Sequence, residues 1–303
     1  MRGHFYFYRM ISYRILGIMS GTSLDGVDMA LTVFTYQEDS WQYHIEKAHC
    51  FDYGSEWKER LISLPTESAL ALAQCNIDYG CYLGELAKAF LKDVKEAPQY
   101  IASHGHTIFH QPSSQLTLQI GDGQAIAIHS GIPTINNFRN KDVLIGGQGA
   151  PLVPIGDELL FNDFQYCLNI GGIANVSFDN GQRIAYDICP ANMVLNYLAN
   201  TIGQEYDKGG DLARKGKLSE FLLQKLNELP YYQTAYPKSL GREWVEEIVL
   251  PMVKGIAIED LLNTFCEHIA IQIGSCINDK AAKVLVTGGG AFNTYLMERI
   301  RFH

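Results

Sequence analysis

Tyr13-Arg-Ile-Leu-Gly-Ile-Met-Ser-Gly-Thr-Ser-Leu-Asp-Gly-Val-Asp-Met-Ala-Leu-Thr-Val-Phe34 reads as two strands joined by a polar tip. Tyr13–Met19 is an apolar run of strand length, Ser20–Gly26 is a cluster of turn formers, and Val27–Phe34 alternates with period two. The stretch is therefore a β-hairpin, and its neighbours say what kind of domain it opens. Trp41–Phe51 supplies a third strand, and Glu56–Leu64 and Ile77–Val94 carry helical spacing, with Leu83, Leu86, Ala87 and Phe90 on one face. Tyr100–Ser103 and Leu116–Ile120 return to strand. Gly123–Ser130 begins a helix that Gly131-Ile-Pro133 stops.

The second half repeats this opening. Tyr166–Ile170 is a strand, Gly171-Gly-Ile-Ala-Asn175 a tight turn, and Val176–Phe178 its return. Arg183–Asp187 adds a strand ended by Ile188-Cys-Pro-Ala-Asn192. Met193–Thr201, Leu218–Leu226 and Glu259–Ile277 are helical, and Lys283–Val286 runs into Thr287-Gly-Gly-Gly290. Two successive units of hairpin, strand and helices predict two related α/β domains. The expected division is an N-terminal extension at 1–14, a first domain at 15–138 and a second at 139–303. Met10 is an alternative start, because the first organised strand begins only near Tyr13.

The 303 residues leave room for about two domains. With 47% hydrophobic and 19% charged residues the chain reads as globular rather than disordered. Twenty-four basic against 33 acidic residues argue against a basic face for a nucleic-acid backbone, yet a nucleotide remains open, because backbone amides and a metal ion hold phosphates without net positive charge. Seven scattered cysteines without C-x-x-C argue against a disulfide framework or a zinc site. No signal peptide or apolar span is visible, so a cytoplasmic location is expected.

Three glycine-rich turns follow strands: Ser20–Gly26, Gly171-Gly172 and Gly288–Gly290. Without a Cβ, such turns let backbone amides approach a phosphate or an adenine closely. None matches the P-loop or the dinucleotide fingerprint. Any one of them is ordinary turn chemistry, but three after strands in a repeated α/β pattern point to a ligand. Asp25 and Asp28 flank the first hairpin; each is either a turn former or a carboxylate that holds Mg²⁺ or takes a proton. Asp187 precedes Cys-Pro rather than a polar run, which favours a functional carboxylate. On a strand, His104 and His106 would point the same way, yet no third metal ligand is in view, so a polar pocket is expected there. The segment from Lys238 to Glu243 fits a solvated loop or an interface equally well.

Gly17-Ile-Met-Ser-Gly-Thr-Ser-Leu-Asp-Gly-Val-Asp28 resembles the anhydro-N-acetylmuramic acid kinase family. The likeness continues through Ser103-His-Gly-His-Thr107, Thr117–Asp122, Phe138-Arg139, Gly146–Pro154, Leu168–Asn175, Tyr206–Lys208, Pro237–Ser239, Gly241–Glu243 and Gly288–Asn293, in order along nearly the whole chain. The resemblance implies the fold of actin, hexokinase and Hsp70: two duplicated (ribonuclease H-like) domains around a cleft, with ATP between them. It implies a bacterial cell-wall recycling enzyme that hydrolyses the 1,6-anhydro bond of its sugar and phosphorylates O6 in one event. Carried over, Ser20–Asp28 is the first phosphate hairpin, with Gly21, Thr22, Ser23, Leu24, Asp25, Gly26, Val27 and Asp28 at the nucleotide and Asp25 or Asp28 near Mg²⁺. Asn169, Gly171 and Gly172 belong to the second phosphate loop, and Gly288, Gly289, Gly290 and Asn293 to the adenosine side. Asp187 maps to the base that activates water. Ser20, Asp25, His104, His106, Thr107, Arg139 and Asn192 are the implied sugar-site residues, and a homodimer is the implied assembly.

Three departures accompany the likeness. Ile188-Cys-Pro-Ala-Asn192 stands where the family often has Thr-Gly-Pro-Gly-Asn, so this turn must avoid positive φ. His106 replaces a glutamine, adding a titratable group. Against the family pattern the chain is short by a C-terminal strand–helix unit. Two other readings remain at this stage: a kinase of the same fold for another amino sugar, and a catalytically impaired nucleotide- or sugar-binding remnant.

Overall fold

In a computed structural model that describes residues 10–303 apart from 22, 23, 25, 278 and 280, the opening stretch forms β1 (Ile11–Ser20) and β2 (Gly26–Gln37). With β3 (Ser40–Asp52) they make an antiparallel meander. Period-two alternation sends Leu16, Ile18 and Ser20 inward and leaves Met19 exposed. Helices α1 (Ser55–Ser63) and α2 (Ala69–Phe90) follow; Ser68 caps α2 by accepting from the Ala71 N–H. The crossover brings β4 (Tyr100–Ser103) parallel to β1. A separate hairpin of β5 (His106–Gln111) and β6 (Leu116–Ile120) precedes α3 (Gly123–Ser130), and β7 (Thr134–Asn136) then pairs parallel to β4. The sheet order is β3-β2-β1-β4-β7. Leu16, Met29, Leu31, Tyr79, Leu83 and Ile101 fill the core beneath it.

The chain divides into two units between Leu152 and Val153, later than residue 138. The reason is α4 (Asn140–Leu144), which packs on β6 with Val143 wholly buried and so belongs to the first unit. At the other end, Ile11–Arg14 already lie in β1 rather than in an extension, and residues 1–9 are outside the described residues.

The second unit opens with α5 (Pro154–Leu160) and the meander β8 (Tyr166–Ile170), β9 (Ile173–Asp179) and β10 (Arg183–Pro190). Helices α6 (Asn192–Asn200), α7 (Asp211–Lys215), α8 (Glu220–Asn227), α9 (Pro230–Gln233), α10 (Arg242–Trp244) and α11 (Ile258–Cys276) lead to β11 (Val284–Thr287) and α12 (Thr294–Phe302). The sheet order β10-β9-β8-β11, with β11 parallel to β8, repeats the first unit's β3-β2-β1-β4. In the first unit β7 covers the outer edge of β4. Among the described residues no strand pairs with the outer edge of β11.

Helix α11 is buried on nearly every side from Leu261 to Ile273, so its polar residues need partners inside the protein. Asn263 donates to the Ala213 carbonyl, His268 and Gln272 both bond Asn227, and Glu267 binds Arg299 at 2.6 Å and His303 at 2.8 Å. Burial alone pushes the Glu267 carboxyl up, but Arg299 and His303 outweigh it and hold the group below its ordinary 4.5. A carboxyl depressed on folding contributes stability above its unfolded pKa and loses it as pH falls through the folded value. The gap in Tm between the native protein and Glu267→Gln is therefore expected to be widest near neutrality and to close as pH falls below about 4.5. Thermal melts across that range check it; a gap independent of pH would contradict the ion-pair account.

Candidate active site

In the first unit the predicted residues gather where β1, β4 and β5 meet. Thr22, Ser23 and Asp25 lie outside the described residues. Gly21 accepts from the Leu24 N–H at 3.2 Å, and Leu24 is held at φ 59, a left-handed conformation uncommon for a leucine. Gly26 and Val27 are buried at the start of β2, while Asp28 faces solvent. Ser20, 2% exposed, is fully engaged: its hydroxyl bonds Tyr53 at 2.5 Å and His106 Nδ1 at 3.0 Å, and Tyr53 in turn bonds Tyr79. Burial, with the charge of His104 second, lowers His106 to about 4, so the imidazole is neutral at physiological pH.

His104 and His106 do not lie on one strand. Gly105 takes φ +74 between β4 and β5, and a Cβ there would sit 2.4 Å from the Ile120 carbonyl oxygen. The strand breaks at this point, and the two rings take different partners. His104 donates from Nδ1 to the Gly105 carbonyl and accepts from Arg139 Nε at 3.0 Å. Arg139 also donates to the Gly149 carbonyl at 2.6 Å. Its guanidinium is partly buried and has no carboxylate partner among the described residues, an arrangement suited to an anionic group. Thr107 accepts from the Gln119 amide. No group of three His, Cys, Asp or Glu able to hold a metal occurs among the described residues.

In the second unit Asp187 does not close its strand, because β10 continues to Pro190 through a bulge. The register slips between Asp187, opposite Asn175, and Cys189, opposite Ala174, so Ile188 is the extra residue that re-aims the chain. Asp187 is half-buried. Its Oδ2 accepts from the Leu240 N–H at 2.9 Å, its own N–H donates to the Lys238 carbonyl, and its carbonyl accepts from the Tyr231 hydroxyl at 2.6 Å. No described donor reaches Oδ1. Burial raises the carboxyl above its ordinary 3.8, while the Leu240 N–H pulls it back. The segment around Lys238 is exposed at Ser239, Gly241, Arg242 and Glu243, yet its backbone at Lys238 and Leu240 covers β10 at Asp187 and pins the carboxylate. Sequence reasoning missed Leu240 and Tyr231 because their contacts with Asp187 are non-local; the only signal was the pair of short blocks around Lys238 and Arg242 in the family likeness.

The turn after β10 manages without glycine. Neither Cys189 nor Ala191 takes a positive φ, and both side chains are small enough to be wholly buried. Ala191, Asn192 and Met193 donate their N–H groups to the carbonyls of Gly171 and Gly172, and the Asn192 amide donates to the Ile170 carbonyl. Asn169 on β8 donates to the Thr287 hydroxyl at 3.1 Å, tying the second loop to the third. Asn293 caps α12 by accepting from the Leu296 N–H. Asn192, Gly289 and Asn293, with Tyr206 and Phe292, line a cavity of 390 Å³. That falls in the roughly 300–1,000 Å³ range of small-molecule sites.

A family model for anhydro-N-acetylmuramic acid kinase matches residues 13–303. The anhydro-N-acetylmuramic acid kinase of Vibrio cholerae serotype O1 is 36% identical over 310 residues, covering 94% of this chain and 82% of that protein. The protein of the same name from Saccharophagus degradans is 35% identical over 315 residues, covering 95% and 83%. A solved ethanolamine utilization protein, EutJ from Carboxydothermus hydrogenoformans, aligns at TM-score 0.40 and 10% identity over 96% of this chain and 80% of that one, too distant to bear on the fold. With a match that runs through both units, and relatives at 35–36% identity along most of their own length, the chain belongs to the anhydro-N-acetylmuramic acid kinase family.

Proposed function

We propose that this kinase opens the 1,6-anhydro ring of 1,6-anhydro-N-acetylmuramic acid by hydrolysis and phosphorylates O6, giving N-acetylmuramic acid 6-phosphate in cell-wall murein recycling. The observation that carries the reading is Asp187: a half-buried carboxylate, pinned through Oδ2, whose Oδ1 no described donor reaches and to which the reading assigns the attacking water. Asp187 takes a proton from that water as its oxygen attacks the anomeric carbon. The bond from that carbon to O6 breaks, and O6 attacks the γ-phosphorus as its bond to the β–γ bridging oxygen breaks and ADP leaves. The repeated strand order supports a duplicated, actin-like fold for the two units.

Residues 21–28, Asn169, Gly171, Gly172, Gly288–Gly290 and Asn293 are the proposed nucleotide contacts. Gly172 and Gly289 fit such a role, because a Cβ at either would meet nothing closer than 3.6 Å and the protein's own packing does not require glycine there. Bound ATP supplies the phosphoryl group, and Mg²⁺ neutralises its charge. Asp28, exposed beside the hairpin, fits a magnesium ion held by one or two carboxylates and phosphate oxygens, which needs no protein cage; Asp25 is the other proposed ligand. Ser20, Asp25, His104, His106, Thr107, Arg139 and Asn192 are assigned to the sugar. Among them Arg139 offers an unpaired cation to the substrate's carboxylate, and Ser20 acts from behind, through its bonds to Tyr53 and His106. The proposal includes action in the cytoplasm, as a homodimer, on a small molecule rather than on nucleic acid or membrane. No helix among the described residues is long and apolar enough to cross a membrane.

The test is mass analysis of the product formed in ¹⁸O-labelled water. Label at the anomeric hydroxyl together with a 6-phosphate is expected. A phosphorylated product without label would remove the coupled hydrolysis.

A further inference from the structure

Two tyrosines on the four-residue helix α9 connect the buried core of the second unit to Asp187. On the core side, Tyr232 donates its hydroxyl to His268 Nε2 at 2.9 Å. His268 Nδ1 donates to Asn227 Oδ1 at 2.7 Å, and Gln272 donates to the same oxygen at 2.8 Å. Since Asn227 Oδ1 can only accept, the proton sits on Nδ1 and the ring is neutral, as full burial requires. The imidazole therefore has one tautomer and two fixed partners, and α9 is anchored to α8 and α11.

On the other side Tyr231 donates its hydroxyl to the Asp187 carbonyl at 2.6 Å, at the point where β10 bulges. Its ring packs on Trp244 at 5.5 Å, and Lys238 bonds its carbonyl with the ammonium 4.6 Å from the ring centre. The same loop supplies the Leu240 N–H to Asp187 Oδ2. A bulged peptide has fewer ladder hydrogen bonds than a regular strand, so something else must fix the direction of the side chain it carries.

We propose that Tyr231 is a positioning residue for Asp187, clamping the bulged peptide so that the carboxylate keeps one direction, with the α9–His268 anchor as the fixed end of the clamp. This rests on the reading of Asp187 as the base. Burial, and after it the charge of Asp187, push the Tyr231 hydroxyl up, which places it near the carboxylate; the other titratable groups around that hydroxyl are Tyr186 and Cys189 on β10, Cys276 on α11 and Lys238 on the covering loop. No carboxylate is among them, and the Lys238 ammonium is directed at the Tyr231 carbonyl and the two tyrosine rings.

Tyr231→Phe keeps the ring and removes only the hydroxyl. It should lower kcat by about tenfold to a hundredfold, the scale expected when a reacting group is misplaced by up to an ångström. KM for ATP should change little. The acidic limb of the kcat profile should move to lower pH, because water admitted beside Asp187 relieves the burial that raises its pKa. Trp244→Phe, which loosens the same packing without touching Asp187, should lower Tm and leave the limb in place. Wild-type kcat in Tyr231→Phe overturns the proposal, and so does a loss of kcat with an unmoved limb, which would mark the tyrosine as merely structural. Asp187→Asn separates the two claims: if it turns over normally the base assignment fails, whereas an inactive Asp187→Asn beside a wild-type Tyr231→Phe sinks the clamp alone.

Discussion

Asp187→Asn is expected to reduce kcat by about 10²–10⁴-fold, the usual contribution of a positioned general base, with sugar and nucleotide binding little changed. The substitution is close to isosteric, and the asparagine oxygen can still accept from the Leu240 N–H, so β10 and its covering loop have no reason to move. What disappears is the basic oxygen proposed to accept the proton of the attacking water. Stability should move the other way. A carboxyl whose pKa is raised on folding binds its proton more tightly in the folded state, so at neutral pH, where it is ionised, it detracts from stability. Asparagine removes that cost, and Tm at neutral pH should equal or exceed that of the native protein. An inactive variant that melts no lower cannot be inactive through unfolding. Near-normal turnover with intact sugar binding would end the assignment.

The same shift fixes the sign of the pH dependence. The proposed base works as a carboxylate, so kcat should fall as pH drops through a value above the ordinary 3.8 of an aspartate.

What could be read from the chain beforehand follows the range of each interaction. The hairpin of β1 and β2 was legible because alternation and a turn cluster are local, and the repeat of that pattern after Tyr166 announced the second unit. Asp187 stood out by its neighbours in sequence, Cys189 and Pro190. The bulge at Ile188 did not, because a bulge exists only relative to the partner strand, here Asn175 and Ala174. Strand β7, three residues long, is too short for alternation to show. The place of residues 139–152 was equally hidden, since nothing local in Arg139 or Val143 says which sheet they pack on. Leu240 and Tyr231 lie some fifty residues from Asp187, and only the folded loop brings them to it.

Gly288→Ala should be strongly destabilising, and it separates what a glycine does for the fold from what it does for a ligand. Gly288 has φ +83 and ψ 167, a region open essentially to glycine alone. A Cβ there would lie 2.6 Å from the Ile170 carbonyl oxygen and 2.7 Å from its carbon, both backbone atoms of β8, the neighbour of β11. Neither can swing away, so the variant must carry the backbone strain and push two paired strands apart. Together these cost on the order of 4 kcal/mol, enough to lower Tm sharply. Gly289→Ala makes the contrast. Its Cβ would meet only the Asn192 amide, at an ordinary 3.6 Å, and it lines the cavity. Tm should stay near the native value while KM for ATP rises, if the added methyl stands where the nucleotide approaches the backbone. The two changes are one residue apart and chemically identical, so a fold that merely tolerates glycine here would respond alike to both. Thermal melts and ATP titrations of the pair decide it: equal stability in the two variants would remove the structural account of Gly288, and an unchanged KM in Gly289→Ala would remove the nucleotide from this turn.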